Sequence, residues 1–256
     1  MEYSTIIYEK KNRAAGITLN RPEALNAMNA ALREEVIQAL DDIEENEEID
    51  VLTLSGIGRA FCTGMDLKEV FRPNGNHQTA MDVWERIRNL PIPTICAVNG
   101  YALTGGLELA LACDIIIASE NAKFGDTHAV AGIVPGSGMT QILPRLIGPC
   151  KAKELSFTGN FISAQQALQY GLLNRVVPAD KLQSVVEGIV QDILSCNQAV
   201  VRKVKYLINE GMKVTLERGF GIEIVEWQRW FEGLDFKMEE ATRIRERVLQ
   251  KGRAQK

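Results

Sequence analysis

The stretch 93–138 constrains the fold of this chain more than any other. It opens with the apolar, β-branched run Thr94–Val98, which predicts a buried strand that ends at Asn99-Gly100. Thr104-Gly105-Gly106 follows, and then a run with helical spacing that carries one acid, Glu108. A glycine pair that opens a helix leaves backbone N–H groups unpaired, with the positive end of the helix dipole behind them. The stretch therefore predicts a site for a phosphate or a developing oxyanion, beside an acid able to transfer a proton.

Length, charge and cysteine usage narrow the class of protein. The chain has 256 residues, of which 46% are hydrophobic, and this predicts one globular domain, or one domain with an appendage. A formal net charge of −4 argues against nucleic-acid binding, which favours a basic field. The five cysteines are scattered without metal-binding spacing, so we expect reduced thiols and no metal site. No signal peptide or membrane-length apolar run is visible, which predicts a cytoplasmic protein without a membrane partner.

Strands and helices alternate along the first three-fifths of the chain, and the rest is helical. An opening hairpin is predicted on either side of residues 10–13, and Asn26 or Asn29 is expected to cap a long helix that ends near Glu45. We infer an α/β core of parallel strands over residues 1–195 and a helical region over 196–256. The helical region is rich in large apolar side chains, which predict either a subunit contact or burial on the chain's own core: Phe220, Ile224, Trp227, Trp230 and Phe231.

Two loops share one design. Thr63-Gly64-Met65-Asp66 and Thr104-Gly105-Gly106-Leu107 each follow an apolar strand, contain glycine and lead into a helical run. A glycine after a strand is usually only a turn, so either loop alone is weak support for a site. If the strands are parallel, however, both loops lie at the carboxyl edge of a sheet, where ligands of α/β folds bind. Two backbone N–H groups, one from each loop, are then expected to converge on one oxygen.

Four segments give the chain a resemblance to a known family. They are NRPEALNAMN at 20–29, AFCTGMDL at 60–67, AVNGYALTGGLELALACD at 97–114 and AKFGDTHAVAGIVPGSGMTQ at 122–141. In this order they resemble the enoyl-CoA hydratase/isomerase (crotonase) family. The resemblance implies a spiral of ββα units, with C-terminal helices that build homotrimers or dimers of trimers and help to complete the active site. It also implies an acyl-CoA thioester substrate and no separate cofactor, because coenzyme A is part of the substrate.

The resemblance also implies roles for particular residues. The oxyanion-hole amides fall on Met65 and Gly105, and Glu108 matches the first of two glutamates that hydratases use to hold and activate water. Contacts with coenzyme A fall on residues of two segments: Ala24, Leu25, Ala60, Cys62, Gly64, Asp66 and Leu67. For Ala24 and Leu25, packing without a ligand contact is an equally good interpretation of the residue types. The acyl pocket is expected to include Gly106, Pro135 and Gly136.

The chain departs from the family pattern at one position. The second hydratase glutamate would fall on His128. His128 could replace the carboxylate as a second base, since an unperturbed histidine has a pKa of about 6.5. It could instead orient water or the acyl chain while Glu108 works alone, or the reaction could be another enolate chemistry. A histidine with a purely structural role is also open, and Asp126 is expected to be a cap or turn residue rather than a substitute acid.

Several other polar residues are given structural or surface roles. The turn-rich segment 71–79 is predicted to be a mobile loop that sets the depth of the pocket, and its His77 is expected to be exposed and not catalytic. Asp66 is expected to fix its loop as a cap rather than to act as a base. The basic tail, which includes Lys237, Arg243 and Lys256, is expected to be a solvated face, with an approach to the CoA phosphates left open.

Together these features predict an enoyl-CoA hydratase that adds water across the 2,3 double bond of a 2-enoyl-CoA through a stabilised enolate. An enoyl-CoA double-bond isomerase is the first alternative, because it needs only one shuttling base. An acyl-CoA-binding protein that has lost hydration is an alternative of a different class.

Overall fold

The computed structural model describes residues 3–71, 82–233 and 238–254. Most of the predicted loop at 71–79, including His77, and the predicted tail residues Lys237 and Lys256 lie outside these ranges. The strands are β1 (Ile6–Lys11), β2 (Ala14–Leu19), β3 (Val51–Gly56), β4 (Ala60–Cys62), β5 (Thr94–Val98), β6 (Tyr101–Leu103), β7 (Ile115–Ser119), β8 (Lys123–Gly125), β9 (Phe161–Ser163) and β10 (Arg175–Val177).

Helices follow the strands and then take over the C-terminal part of the chain. They are α1 (Ala30–Glu45), α2 (Leu67–Val70), α3 (Asp82–Asn89), α4 (Gly105–Leu111), α5 (His128–Ala131), α6 (Met139–Ile147), α7 (Pro149–Thr158), α8 (Ala164–Gln169), α9 (Leu182–Leu194), α10 (Gln198–Gly211), α11 (Leu216–Glu232) and α12 (Met238–Ala254). Short 3-10 turns lie at Pro22–Ala24 and Ala179–Lys181.

The strands form two mixed sheets. The larger has the order β1-β2-β3-β5-β7-β10, in which only the β1–β2 hairpin is antiparallel. The smaller has the order β4-β6-β8-β9, in which β4, β6 and β8 are parallel and β9 is antiparallel. Three times in succession the chain places one strand in the larger sheet and a short strand in the smaller sheet, and then forms a helix. This repeat confirms the α/β spiral of ββα units and its C-terminal helices.

The larger sheet is buried on both faces. Along β5, Ile95 and Ala97 pack with Val186 of α9, whereas Cys96 and Val98 belong to the core on the other side of the sheet. Successive side chains of a strand point to opposite faces, so a central strand covered on both sides reads as a continuous apolar run. This burial explains why β5 was predictable from its sequence, with the same limits that the structure shows.

Capping side chains define the starts of several helices. Asn29, not Asn26, caps α1, and its side chain accepts a hydrogen bond from the Leu32 amide at 3.0 Å. Ser163 caps α8 in a reciprocal capping box with Gln166. Asp66 caps the short helix α2 by accepting from the Lys68 amide, which agrees with the predicted loop-fixing role.

One prediction about the central stretch needs correction. The sequence predicts that β5 leads directly into Thr104-Gly105, but a second strand, β6, lies between them. Asn99-Gly100 is the corner at which the chain passes from one sheet to the other. The glycine-rich loop therefore extends from the smaller sheet. Strands of three residues are too short to show an alternating pattern, which is why β6 was missed.

The chain divides into two compact units, residues 1–203 and 204–256. The second unit contains α11 and α12 and the end of α10. On α11, Phe220, Ile224 and Trp227 are more than half exposed. A groove of about 690 Å³ in this unit is lined mainly by apolar residues of α10 and α11, such as Tyr206 and Val225.

Candidate active site

Three loops meet at one edge of the smaller sheet. Thr63–Asp66 follows β4, Thr104-Gly105 follows β6, and Asp126–His128 follows β8. Because β4, β6 and β8 are parallel, the three loops begin at the same carboxyl edge. The sheet thereby brings together residues that lie far apart in the sequence, which is the usual location of ligand sites in α/β folds.

The amides of Met65 and Gly105 border the same space. A methyl group placed on Gly105 would lie 3.5 Å from the Met65 nitrogen, so the two amides are close neighbours. Within the part of the chain that the structure describes, neither amide donates a hydrogen bond to a protein acceptor. Gly105 is the first residue of α4, where the N–H has no partner inside the helix. Two such donors can bind an oxygen that gains negative charge.

Two glycines allow the loops to approach each other. Gly64 has a φ of +94°, and a methyl group there would lie 2.9 Å from the Gly105 nitrogen. Gly106 packs α4 against β4 so closely that a methyl group would overlap the Cys62 carbonyl. Side chains at these positions would separate the two loops, which explains why the sequence requires glycine there.

The turn into α4 is strained and held from several sides. Thr104 has a φ of 55°, which is costly for a β-branched residue. Its amide donates to the Gly125 carbonyl at 2.9 Å, and its hydroxyl is hydrogen bonded to the Thr127 hydroxyl. The buried Trp84 ring donates from Nε1 to the Gly105 carbonyl at 2.9 Å. These contacts fix the direction of the Gly105 peptide and link the β6 loop to the β8 loop.

Glu108 lies on the first turn of α4 and is 3% exposed. Its Oε1 accepts hydrogen bonds from the amides of Ser137 at 2.9 Å and Met139 at 3.1 Å. Burial raises the pKa of Glu108, and this outweighs the opposing effect of the two amides and of the nearby His128. Oε1 is therefore fixed by the backbone, while Oε2 remains available to a ligand.

His128 faces the second oxygen of this carboxyl group. Its Nε2 lies 3.8 Å from Glu108 Oε2, and its Nδ1 lies 2.6 Å from Asp126 Oδ1. Both His128 and Asp126 are buried, and the Asp126 carboxylate has no exposed fraction. Burial by itself would raise the pKa of Asp126, but hydrogen bonds, led by the one to the His128 ring, lower that pKa below its usual range. Asp126 is thus an ionised partner of the ring.

Met65, Gly105, Glu108 and His128 border one cavity of about 370 Å³. Its polar part carries Glu108 and His128, with the hydroxyl groups of Thr104 and Thr127 beside them. The remaining wall is largely apolar and includes Leu67, Val70, Trp84, Ala131, Ile133 and Val134. Such a cavity suits a ligand with an apolar chain attached to a polar reacting group.

The residues predicted to contact coenzyme A lie in three environments. Ala60, Cys62 and Gly64 are buried and do not line the cavity. Ala24, Leu25 and Asp66 are half-buried, and Asp66 forms an ion pair with Arg21 at 3.3 Å. Leu67 is 50% exposed and lines the cavity.

The loop that carries Ala24 and Leu25 is fixed by the fully buried Asn26. The Asn26 Nδ2 donates to the Ile57 carbonyl at 2.9 Å and to the Ala60 carbonyl at 2.8 Å, and its Oδ1 accepts from the Arg21 amide. Asn26 thus joins the loop before α1 to β4, and this is its role in place of the predicted helix cap.

The predicted acyl-pocket residues are only partly at the cavity. Gly136 lines it, whereas Gly106 is buried against Cys62 and Pro135 is half-buried, and neither of these two lines it.

Sequence reasoning missed the groups that orient the two titratable side chains. Ser137 and Met139 hold Glu108 through backbone amides, which leave no trace in side-chain identity. Asp126 was interpreted as a turn residue. It does accept from the His128 amide at 3.2 Å, as a turn residue would, but the same oxygen also holds the ring. An acid two residues before a histidine was the signal available for this contact.

In residues 3–71, 82–233 and 238–254, no group of three or more His, Cys, Asp or Glu side chains could hold a metal ion. Over the same ranges, no helix is both long enough and apolar enough to span a membrane.

The two-sheet ββα spiral, with a strand-end amide pair beside a buried acid, defines a protein of the crotonase fold. The sequence model of the family described as enoyl-CoA hydratase/isomerase matches residues 9–248. The chain is 38% identical over 240 residues to a probable enoyl-CoA hydratase of Rhizobium meliloti, covering 93% of each chain. It is 39% identical over 231 residues to a crotonyl-CoA hydratase of Syntrophomonas wolfei, covering 87% of this chain and 88% of that protein.

Solved structures agree with the sequence matches. The chain is similar to the crystal structure of an enoyl-CoA hydratase from Bacillus anthracis, with a TM-score of 0.88 and 37% identity. The match covers 95% of this chain and 97% of that one. The chain belongs to the enoyl-CoA hydratase/isomerase family, for which an acyl-CoA is the implied substrate.

Proposed function

We propose that this protein is an enoyl-CoA hydratase, which adds water across the 2,3 double bond of a 2-enoyl-CoA. One observation carries the proposal: the unpaired Met65 and Gly105 amides border the same cavity as a buried Glu108 whose free oxygen faces His128 Nε2 at 3.8 Å. The similarity to hydratases over most of the chain supports the same reaction class.

The amide pair is assigned to the thioester carbonyl. When water attacks the β-carbon, the electrons of the double bond move toward the thioester oxygen and produce an enolate. The Met65 and Gly105 amides stabilise this charge more strongly than the neutral carbonyl, so they lower the barrier rather than merely tighten binding. One donor of this kind contributes about 3–4 kcal/mol to transition-state stabilisation.

Glu108 and His128 are assigned to the water. A water oxygen that lies about 2.8 Å from each partner fits between Glu108 Oε2 and His128 Nε2, which are 3.8 Å apart. In this position the water is oriented by two groups, and one of them accepts its proton as the C–O bond forms. A proton is then delivered to the α-carbon, and the enolate collapses to the 3-hydroxyacyl thioester.

Double-bond isomerisation is the second candidate, and one observation favours it. Among the described residues that line the cavity, Glu108 is the only carboxylate. A single carboxylate can carry a proton between the α- and γ-carbons of a 3-enoyl-CoA without activating water. The two reactions share the enolate and differ in whether His128 serves the water.

The test is turnover of crotonyl-CoA, followed as loss of absorbance of the conjugated thioester. We expect wild-type turnover, a fall of at least about 10³-fold in Glu108→Ala, and a fall of about 10²-fold in His128→Ala. Wild-type activity in Glu108→Gln would refute the role assigned to Glu108. No activity on any 2-enoyl-CoA, with conversion of a 3-enoyl-CoA, would favour isomerisation. Acyl-CoA binding without either reaction would favour a binding protein.

We also propose that residues 196–256 mediate assembly into a homotrimer or a dimer of trimers in the cytoplasm. The exposed apolar side chains of α11, among them Phe220 and Trp227, support an interface of this kind. Mass measurement by light scattering tests the proposal, since assembly requires three or six chains of 28.4 kDa.

A further inference from the structure

Resting on the proposed hydration, we propose that Asp126 is a positioning residue. It holds His128 with the proton on Nδ1, so that Nε2 is the base that takes the proton of the attacking water. Glu108 then supplies the proton to the α-carbon. This assigns to Asp126 a role through His128, and it divides the proton transfers between two different side chains.

The geometry of the Asp126–His128 pair carries this inference. Asp126 Oδ1 lies 2.6 Å from Nδ1, and the same oxygen accepts the His128 amide at 3.2 Å. The carboxylate is therefore locked to the backbone of the residue whose ring it holds. A carboxylate at Nδ1 favours the tautomer that carries its proton on that nitrogen. Nε2 is then left with a lone pair that faces the cavity and Glu108 Oε2.

The burial of the pair explains why a second carboxylate is not needed at position 128. His128 is 6% exposed and Asp126 is 0% exposed, so little solvent competes for the ring nitrogens. When Nε2 takes a proton, the ring becomes positive beside a buried negative charge, and this ion pair is stabilised. The pair can thus do the work of a carboxylate base, because its net charge passes from −1 to zero when Nε2 takes the proton.

The proton balance of this cycle closes without another reactant. Water gives one proton to His128 Nε2, and its oxygen forms the bond to the β-carbon as the double-bond electrons pass to the enolate. The protonated Glu108 gives its proton to the α-carbon, and the product contains one added water. The cycle resets when the His128 proton passes to Glu108, whose Oε2 lies 3.8 Å from Nε2. The raised pKa of the buried Glu108 is consistent with its starting as the acid.

The test combines nuclear magnetic resonance with kinetics. The chain has only two histidines, so His77→Gln leaves His128 as the only source of imidazole ¹⁵N signals. In this background we expect the Nδ1–H tautomer with Asp126 present, and mainly the Nε2–H tautomer in Asp126→Ala. With crotonyl-CoA, we expect kcat to fall about 10- to 10²-fold in Asp126→Ala, no more than in His128→Ala, while KM changes by less than about threefold. Asp126→Asn keeps the acceptor but removes the charge, so we expect an intermediate kcat.

A double mutant separates positioning from general damage. If Asp126 acts through His128, adding Asp126→Ala to His128→Ala changes kcat by less than about twofold. Asp50→Asn is the matched control. It removes the charge of another buried carboxylate, which pairs with Arg13 and Arg202 before β3, and it is expected to leave kcat unchanged.

Three results would overturn the assignment: an unchanged tautomer in Asp126→Ala, a wild-type kcat in that variant, or fully additive losses in the double mutant. If Asp126→Ala does not fold, the kcat of Asp126→Asn decides, and a wild-type value overturns the assignment. The tautomer measurement needs no turnover, so it is independent of the proposed reaction. A wild-type protein that is silent on 2-enoyl-CoA would refute hydration, and the tautomer would still decide the role of Asp126.

Discussion

Two pairs of residues border the cavity and are held in different ways: Met65 with Gly105, and Glu108 with His128. The first pair uses backbone amides, whose positions depend on how closely two loops approach. The second pair uses titratable side chains, whose protonation depends on burial and on partners such as Asp126. We refer to the first pair as the amide half and to the second as the proton-transfer half.

This difference determines which substitutions should matter. In the amide half, the identity of a side chain counts only when it moves the backbone, so Met65 can vary whereas Gly64 cannot. In the proton-transfer half, an isosteric change of charge removes the chemistry and leaves the fold in place. The two halves should therefore fail differently, through geometry in the first and through protonation in the second.

Gly64→Ala should give the largest loss among variants of the amide half. A methyl group at this position would lie 2.9 Å from the Gly105 nitrogen, and the backbone φ of +94° is unfavourable for alanine. We expect kcat for crotonyl-CoA to fall about 10²- to 10³-fold, because the two amides can no longer bind the same oxygen. Steady-state kinetics of the purified variant measures the loss.

Gly148→Ala is the matched control for that change. Gly148 also has a positive φ, of +78°, but a methyl group there would meet no atom within 4 Å. We expect a lower melting temperature with unchanged kcat. Equal losses of kcat in the two variants would mean that backbone strain, rather than displacement of the Gly105 amide, explains the effect.

A smaller effect is expected from Trp84→Phe, which removes the indole donor to the Gly105 carbonyl and keeps an aromatic ring in the core. Loss of one buried hydrogen bond costs about 1–2 kcal/mol. Because this bond orients the Gly105 peptide, we expect kcat to fall about three- to tenfold. Tyr8→Phe is the control, since it removes the hydrogen bond that Tyr8 of the β1–β2 hairpin donates to Asp42 of α1, and it should lower stability alone. A wild-type kcat in Trp84→Phe would mean that Trp84 does not orient the Gly105 amide for catalysis.

The smallest predicted effect concerns the stability cost of the proton-transfer half. Burial raises the pKa of Glu108 in the folded protein above that in the unfolded chain. The folded state therefore binds this proton more tightly, and the benefit is lost as pH rises through the folded pKa. Glu108→Gln has no proton to lose on unfolding and so avoids this loss of stability, and we expect a higher melting temperature than wild type at pH 7. The difference should disappear below pH of about 4, where the glutamate is protonated in both states.

Glu35→Gln provides a matched change of opposite sign. Burial alone would raise the pKa of Glu35, but hydrogen bonds from Thr5 and Ser4 prevail and lower it to about 2. Its ionised form stabilises the fold above the ordinary glutamate range, and this contribution is lost as pH falls toward about 2. We expect Glu35→Gln to melt below wild type at pH 7. If the melting temperatures of both variants shift in the same direction from wild type at pH 7, the pKa shifts of the two glutamates do not explain the changes in stability.

The amide half was largely predictable from the sequence, and the proton-transfer half only in part. Gly64 and Gly105 each follow a strand and precede a helical run, and this local pattern restricts the backbone whatever the tertiary fold. The expectation of parallel strands paired these loops at one sheet edge, and the resemblance to the family assigned the oxyanion-hole amides to Met65 and Gly105. The short strand β6 that delivers Gly105 was missed, because its pairing with β4 and β8 is a long-range property.

The partners of the titratable groups depend on such long-range contacts. Glu108 is held by the amides of Ser137 and Met139, 29 and 31 positions away in the chain, and no side-chain pattern encodes them. His128 was recognised as a departure from the family pattern, but whether its ring faces Glu108 depends on the parallel register of β6 and β8. Burial and protonation follow from that register, which is why they required the structure.

The most direct test of the account is the fate of the oxygen of water. Crotonyl-CoA is incubated with the wild-type enzyme in ¹⁸O-labelled water, and the position of the label in the product is determined by mass spectrometry. If water held between Glu108 and His128 attacks the β-carbon, the label appears on the C3 hydroxyl group and the thioester remains intact. Label in a released carboxylic acid, or unlabelled acyl-CoA as the only species recovered, would contradict the account.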